Sequence, residues 1–491
     1  MTLPTNLTEL QRDYAVFLPA LSTFYVNVTG KAYHSAGTNQ PSVLPERIPE
    51  VLGRDAQGLD YLKPNALWHY KWSLHSAGHS SLDIDKDLPR ERMYRERDRN
   101  TSFMLGDSGG FQIGKGKWAG DWKAGSGCPA AQKKRDGVLR WMDEFMDYGM
   151  ILDVPAWLSR SPEGAEAAQI SSYQEAADAT AFNNEYFVKN RDGRCKFLNV
   201  LQGENHAQAD AWYEQMKVFG DPSVYPDAHF DGYAMGGQNA CDVHLILKRI
   251  VSLMHDGLLE KGLHDWMHVL GTGKLEWAGV LTAIQRGVRK SYNENFTISF
   301  DCASPFLATS NGQQYTHYRM PHNSKWKYAM EDAPDDKALH ADTTPYDDLC
   351  AKMYENWMPS PITQNMKVND VCVYKPGDVN KTGKEGKTSW DTFSYALLMN
   401  HNIYTHIRSV QETNRLYDGG RYPRELVDNN FQQTEVKDVI TRIFELDDRD
   451  KQMQLIEDHS RLWMRVIGSR GAIGKKTVNA STQFYSLFEE V

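Results

Sequence analysis

Asp107, Asp153, Gln202, the pair Gly236 and Gly237, Gly271 and Asp301 share one local setting: each stands where a short apolar run gives way to a polar loop. The runs are SFMLGDSGG, GMILDVPAW, CKFLNVLQGEN, HFDGYAMGGQ, WMHVLGTGK and FTISFDCASP. Two carboxylates at the ends of different runs suit nucleophilic catalysis paired with general acid/base work. Asp301 follows FTISF and precedes Cys302, a context that holds a carboxylate partly out of water. Asp107 precedes Ser108, Gly109 and Gly110, a turn that exposes backbone donors and lets a flat ligand lie close to the chain. Asp153 and Gln202 offer hydrogen-bonding edges, while Gly236, Gly237 and Gly271 leave floor space with backbone N–H groups. A single Asp after a strand is ordinarily a helix cap. Six coincident positions make independent capping a poor explanation. Together they describe a slot for a planar heterocycle rich in donors and acceptors. Spacing alone supports an enzyme that uses two Asp residues on a polar cyclic substrate, and a glycosidase pair fits that description equally well.

Each apolar run is of strand length and too short for an independent helix. Between the runs lie amphipathic stretches such as QKKRDGVLRWMDEFMDYG, SSYQEAADATAFNNEYFV, HAQADAWYEQMKVFG, ACDVHLILKRIVSLMHDGLLEKG and LEWAGVLTAIQRGVRKSYN. Strand followed by helix, repeated, is the pattern of a parallel α/β fold. Six such units, with strand candidates in the first 80 residues, favour a closed (β/α)8 barrel of the TIM type over an open sheet. In a barrel the six polar positions converge on the face carrying the carboxyl ends of the strands. The barrel, with insertions, is expected over residues 1–345. A mostly helical C-terminal extension is expected over 346–491, from which the segment 391–418 could supply the last barrel helix. SYALLMNHNIYTHIRSVQETNRLY and DVITRIFELDDRDKQMQLIEDHSRLWMRVIG carry its helical periods, and a Gly/Lys-rich loop, KPGDVNKTGKEGKTS, precedes them.

The chain has 491 residues, enough for about three domains at roughly 150 residues each or for one large barrel plus an extension. With 41% hydrophobic and 24% charged residues, global disorder is excluded. Six cysteines without regular spacing are no disulfide framework, the first 21 residues lack the regions of a signal peptide, and no apolar stretch is long enough to span a membrane. The expectation is a soluble, cytoplasmic protein of a reducing compartment. A net charge of −9 argues against bulk capture of nucleic acid, although binding depends on where Lys and Arg cluster. Two clusters stand out, RERMYRERDRN at 90–100 and the stretch from Arg461 to Lys476 with Arg465, Arg470 and Lys475. The plain reading of each is a solvated face, and the acidic stretch 331–348 reads as a surface loop or boundary.

The segment GDSGGFQ, residues 106–112, resembles the signature of the tRNA-guanine transglycosylase superfamily, whose fold is a barrel. VLQGEN (200–205) resembles that family's VQGG-type strand end, GYAMGGQ (232–238) its GYAIGG element and LGTGK (270–274) its MGxG element. SFDCASPFLATSNG (299–312) resembles the FDC(V)xPTRxxRxG stretch that carries the nucleophile. The motifs occur in family order over roughly residues 100 to 315. The resemblance implies base exchange: Asp301 attacks the anomeric carbon of a guanosine to make a covalent sugar–enzyme intermediate, and Asp107 serves as general acid/base. It implies that Asp153, Gln202, Gly236 and Gly237 recognise the base, with Ser108 and Gly271 beside them, and that Phe111 stacks on it. The target nucleotide leaves its stack to reach such a pocket.

Two departures bear on substrate and metal. The family's CxCxxC cluster with a distant His, a structural zinc site, is absent; Cys350, Cys372 and His401 remain, at spacings that read as ordinary residues, so no metal and no cofactor is expected. The TRxxR element, associated with reading the tRNA anticodon loop, is replaced by FLATSNGQQY, with Leu307 and Ser310 where guanidinium groups would stand. A branch of the superfamily acts on DNA in bacteriophages and bacterial modification systems, exchanging guanine for a 7-deazaguanine such as 7-cyano-7-deazaguanine and masking the DNA from nucleases. The lost arginines, the altered zinc region and an amino-terminal part carrying Trp68, Trp72 and an arginine cluster resemble that branch. Trp and Tyr near Arg suit stacking on extruded bases, but Trp68 and Trp72, four apart, equally read as core residues of a helix. The expected partners are DNA and the free 7-deazaguanine base. A divergent tRNA enzyme and a non-catalytic nucleic-acid-binding subunit are the alternatives.

Overall fold

The computed structural model describes residues 3–11, 13–30, 48–52, 56–373, 388–428 and 434–467. The Gly/Lys-rich loop of 375–389 falls outside them except for its last two positions, as do Arg470, Lys475 and Lys476 of the second basic cluster.

Eight parallel strands form one sheet: β1 (Val16–Pro19), β2 (Trp72–Ser76), β3 (Phe103–Asp107), β4 (Tyr148–Met150), β5 (Lys196–Leu201), β6 (Gly232–Met235), β7 (Trp266–Val269) and β8 (Thr297–Cys302). From β2 to β8 each pairs with the next, and β8 pairs with β1. A bridge between Ala20 and Leu74, with Leu21 N–H donating to the Leu74 carbonyl at 2.9 Å, brings β1 against β2 and nearly closes the barrel. Helices run between the strands, the longer ones being Pro129–Phe145, Tyr173–Asn190, His206–Met216, Val243–His255 and Leu275–Ser291. The fold is therefore a (β/α)8 barrel with a helical C-terminal region. Burial on both faces explains why the strands read as apolar runs and not as alternating ones.

Side chains alternate along a strand, so those sharing parity with cavity-lining residues point into the barrel. Phe103, Tyr148 and Trp266, at the amino ends of β3, β4 and β7, stack on one another there, with Phe103 and Trp266 centroids 4.7 Å apart. Their rings fill the end opposite the carboxyl ends of the strands.

After β8 come a short helix, Ser304–Ser310, and an antiparallel hairpin, β9 (Gln313–Arg319) with β10 (Lys327–Asp332). The 27-residue helix Thr392–Asp418 then packs against β1, Thr23–Thr29 and Leu275–Ser291. It starts at a capping box in which Asp391 accepts from Ser394 N–H and the Ser394 hydroxyl accepts from Asp391 N–H. Several of its polar residues are buried and hydrogen-bonded. Asn400 accepts from the Trp68 indole at 2.8 Å and donates to the Tyr25 hydroxyl at 2.8 Å, and Gln411 donates to the Leu7 carbonyl at 2.9 Å.

Three expectations change. Trp68 and Trp72 do not share a helix: Trp68 lies in a bend, buried and stacked on Tyr61 at 4.8 Å, and Trp72 opens β2, also buried. Neither is available to an extruded base. The arginines of 90–100 largely serve the fold. Arg95 pairs with Glu91 and reaches the carbonyls of Ser81, Asp83 and Lys86, while Arg97 pairs with Asp147. The long helical period after residue 434 is three helices, Val436–Glu445, Arg449–Asp458 and Ser460–Ile467, because Asp448 caps a new start by accepting from Lys451 N–H. The first packs on Leu275–Ser291 and the others on Val243–His255. No described helix is long and apolar enough to cross a membrane.

Removing the Asn400 amide strands the Trp68 indole N–H in a dry interior. Asn400→Ala is expected to lower stability by about 1–3 kcal/mol, seen as a fall in the denaturation midpoint. An unchanged midpoint would mean that this contact does not tie the long helix to the barrel.

Candidate active site

The carboxyl ends of the strands surround a cavity of about 150 Å³, similar in volume to an engineered cavity that admits a single aromatic ring. Asp107, Phe111, Asp153, Gln202, Gly236, Gly237, Gly271 and Asp301 all line it. Ser108 does not: it is fully buried behind the wall, its hydroxyl 3.5 Å from Asp153 Oδ1. It supports Asp153 and offers no surface to a ligand.

Asp107 ends β3, and the parallel register sets it beside Ser76, the last residue of β2. The Ser76 hydroxyl donates to Asp107 Oδ2 at 2.6 Å. Burial pushes the Asp107 carboxyl above its ordinary range, and the nearby Asp301 charge adds to the rise; the Ser76 hydroxyl, the Gly109 N–H and His268 oppose it. A proton is thus easier to keep on Asp107 than on a solvated carboxylate.

Asp301, near the end of β8, is held from two directions. Gly271, in the left-handed region at φ +63°, turns its N–H onto Asp301 Oδ1 at 2.7 Å, and His268 Nε2 lies 3.2 Å from the same oxygen. Both donors belong to β7 or its loop, one strand over. No hydrogen bond from a described residue reaches Oδ2. One carboxylate oxygen is pinned and the other is not.

Asp153 and Gln202 form a hydrogen-bonding edge on the cavity wall. The Gln202 amide donates to Asp153 Oδ2, while its carbonyl accepts from Ala156 N–H at 2.8 Å, which fixes the amide orientation. Burial first, then the charge of Asp107, raises the Asp153 pKa to about 7, against the lowering effect of Gln202 and Ser108. Near neutral pH Asp153 therefore carries a proton part of the time and can donate as well as accept. Gly110 is required beside it, since a Cβ there would stand 2.5 Å from the Asp153 carbonyl oxygen and 2.8 Å from Oδ1.

Leu74, Met150, Val200 and Leu270 supply apolar wall. Phe111 and Trp157 stand together with ring centroids 6.1 Å apart at 59°. Arg160 and Glu204, both lining the cavity, form an ion pair in which the Arg160 side chain is half exposed. Lys115, at the end of the short helix Gly110–Gly114 that carries Phe111, holds its ammonium 5.7 Å from that ring. Pattern reading missed Ser76, His268, Trp157, Arg160 and Glu204. Ser76 obeys the strand-end pattern in the run WSLHS, and Glu204 lies inside VLQGEN, so both had a signal. Nothing in WMHV marks His268 as a partner of a residue 33 positions on.

The zinc candidates do not fit a metal. His401 engages both ring nitrogens, Nδ1 with the Ser360 hydroxyl and Nε2 with the Tyr315 carbonyl, each at 2.8 Å. Cys350 Sγ lies 3.6 Å from the Gln314 amide and Cys372 Sγ 3.5 Å from the Pro334 carbonyl, and burial raises both thiols. Among the described residues no group of three or more His, Cys, Asp or Glu side chains could hold a metal ion.

No family model matches the chain, and no curated protein matches it either. Fold and site geometry carry the functional reading.

Because folding raises the Asp153 pKa from 3.8 to about 7, the folded state binds more protons than the unfolded chain between those limits. The stability contribution of the protonated acid is complete below the lower value and is lost as pH rises through the upper. Asp153→Asn, which cannot ionise, is expected to gain melting temperature relative to the wild type as pH rises from about 5 to about 8. A difference that stays constant with pH would contradict the buried, proton-holding Asp153.

Proposed function

We propose that the protein is a DNA-guanine transglycosylase that exchanges guanine in DNA for a 7-deazaguanine such as 7-cyano-7-deazaguanine. The observation that carries the reading is Asp301 with one oxygen pinned and the other free, facing the same cavity as a protonatable Asp107 and the Asp153–Gln202 edge. A nucleophile, a proton carrier and a base-reading edge are what base exchange needs, and a glycosidase reading leaves the GDSGGFQ and GYAMGGQ elements unexplained.

Asp301 Oδ2 attacks C1′ of the target nucleotide as the C1′–N9 bond breaks, its electron pair leaving with guanine. Asp107 delivers the proton that neutralises the departing base. The incoming 7-deazaguanine then gives its N9 proton to the Asp107 carboxylate, N9 attacks C1′, and the Asp301 ester bond breaks. One base replaces another with no net change in redox state or charge, so the exchange calls for no cofactor.

Phe111 and Trp157 provide aromatic surface for a base turned out of its stack, and Lys115 and Arg160 provide cations for the backbone that carries it. Leu307 and Ser310, standing in place of the arginines that read an anticodon loop, favour DNA over tRNA. Masking DNA from nucleases is the role that this chemistry suits, in a phage or in a bacterial modification system.

Guanine release from labelled DNA and tRNA, each incubated with the protein and 7-cyano-7-deazaguanine, tests the reading. Release from DNA is expected, with loss of covalent trapping in Asp301→Ala and a fall of about 10²–10⁴-fold in rate for Asp107→Asn. Release from tRNA alone would establish the divergent tRNA enzyme. Release from neither, or full exchange by both variants, would overturn the assignment.

A further inference from the structure

The barrel interior contains a column of buried polar groups that strand spacing did not disclose. At its base the Trp266 indole N–H donates to the Ser299 hydroxyl oxygen at 2.8 Å. Ser299 lies 2.9 Å from His268 Nδ1, and His268 Nε2 lies 3.2 Å from Asp301 Oδ1. His268 and Ser299 have no solvent exposure, and they are register partners on β7 and β8. Water does not compete for the contact between Ser299 and His268.

The donors and acceptors can be counted along this column. Trp266 is a donor only, so Ser299 Oγ accepts from it and its own hydroxyl proton remains to be given. Its polar neighbour for that proton is His268 Nδ1, which accepts it when unprotonated. The ring proton of neutral His268 then sits on Nε2, where it faces the carboxylate. The opposite tautomer would set a lone pair against an ionised Asp301, at a large cost in a dry interior.

We infer that His268 is a positioning residue: held as the Nε2–H tautomer by Ser299 and Trp266, it donates to Asp301 Oδ1 and, with Gly271 N–H, locks the carboxylate so that Oδ2 points at the reacting carbon. Two donors on one oxygen fix both the position and the rotation of the carboxylate plane, which a single backbone N–H cannot do. The same donors draw charge toward Oδ1 and ease the return of the carboxylate as a leaving group in the second half of the exchange. The hydrogen-bonded column stands independently of the reaction; its kinetic consequence rests on the transglycosylase reading. A purely packing role for His268 would require only its volume, which Gln or Phe also approaches.

The test uses the full-length protein in two parts. Nuclear magnetic resonance of isotope-labelled histidine, with the His268 signal assigned by its loss in His268→Gln, reports which ring nitrogen carries the proton. The Nε2–H form is expected, with its Nε2 resonance moved by Asp301→Asn and its tautomer mixed in Ser299→Ala. An unprotonated Nε2, or a resonance indifferent to Asp301→Asn, would overturn the inference whatever the protein catalyses. In the kinetic part, His268→Phe is expected to lower kcat by about 10²-fold through a misplaced nucleophile, with KM nearly unchanged and slower accumulation of the covalent intermediate. His268→Gln, whose amide can still donate to Oδ1, is expected to recover most of that loss. Wild-type kcat in a folded His268→Phe would equally overturn the inference. If the wild type exchanges no base on either polymer, the transglycosylase reading falls and the resonance measurements decide the column by themselves.

Discussion

Three carboxyl groups withdrawn from water on one side of a barrel set the terms for everything around them. An ionised carboxylate in an apolar interior is costly unless it is paired or hydrogen-bonded. Here Asp107, Asp153 and Asp301 crowd one cavity, where the Asp301 charge makes Asp107 costlier to ionise and the Asp107 charge does the same to Asp153. The protein meets that cost differently at each position. Asp301 receives Gly271 and His268, Asp107 receives Ser76, and Asp153 receives Gln202 with Ser108 behind it and retains a proton instead of a full charge. This graded treatment gives the three carboxyl groups of a single pocket three different hydrogen-bonding environments, the condition under which the proposed roles could be divided among them.

Those donors are useful only if they do not move, and the surrounding packing provides that. The stacked rings of Phe103, Tyr148 and Trp266 close the amino end of the barrel and anchor the first group of the column that reaches Asp301. Outside, the helix Thr392–Asp418 seals β1, and its buried Asn400 and Gln411 tie it to Trp68, Tyr25 and the Leu7 carbonyl. Val436–Glu445 presses Phe444 onto Gly287 of the neighbouring helix, where a Cβ would come within 2.3 Å of the ring. Residues distant in sequence thereby hold the strand ends at fixed separations, and tenths of an ångström at those ends decide whether a carboxylate oxygen meets its target.

The cavity also holds groups that are costly to keep out of water. Asp153 would be more comfortable as an amide, and the Arg160–Glu204 pair would be cheaper in open solvent than on a cavity wall. Groups held in this way lower stability. The buried networks elsewhere in the barrel, from Asn400 to Arg135 with its bonds to Asn183 and Gln132, offset that loss.

The barrel and most of the cavity lining were legible in the sequence for a local reason. In a parallel strand buried on both faces, the apolar run must stop where the chain reaches the rim, so the first polar residue after it marks the rim. Asp107, Asp153, Gln202 and Asp301 announced themselves in this way, as did the glycines that leave room beside them. What surrounds each carboxylate was not legible, because parallel neighbours are joined through crossovers of tens of residues and their register is set by the closing barrel. Ser76 reaches Asp107 across 31 positions, and His268 reaches Asp301 across 33. The same holds for Trp68 and Trp72, whose spacing suggested a shared helix until stacking on Tyr61 and the start of β2 separated their settings. Local pattern determined which residues stand at the rim. Only the three-dimensional register decided which donors face them, because a hydrogen bond depends on distance in space and carries no trace in the spacing of the chain.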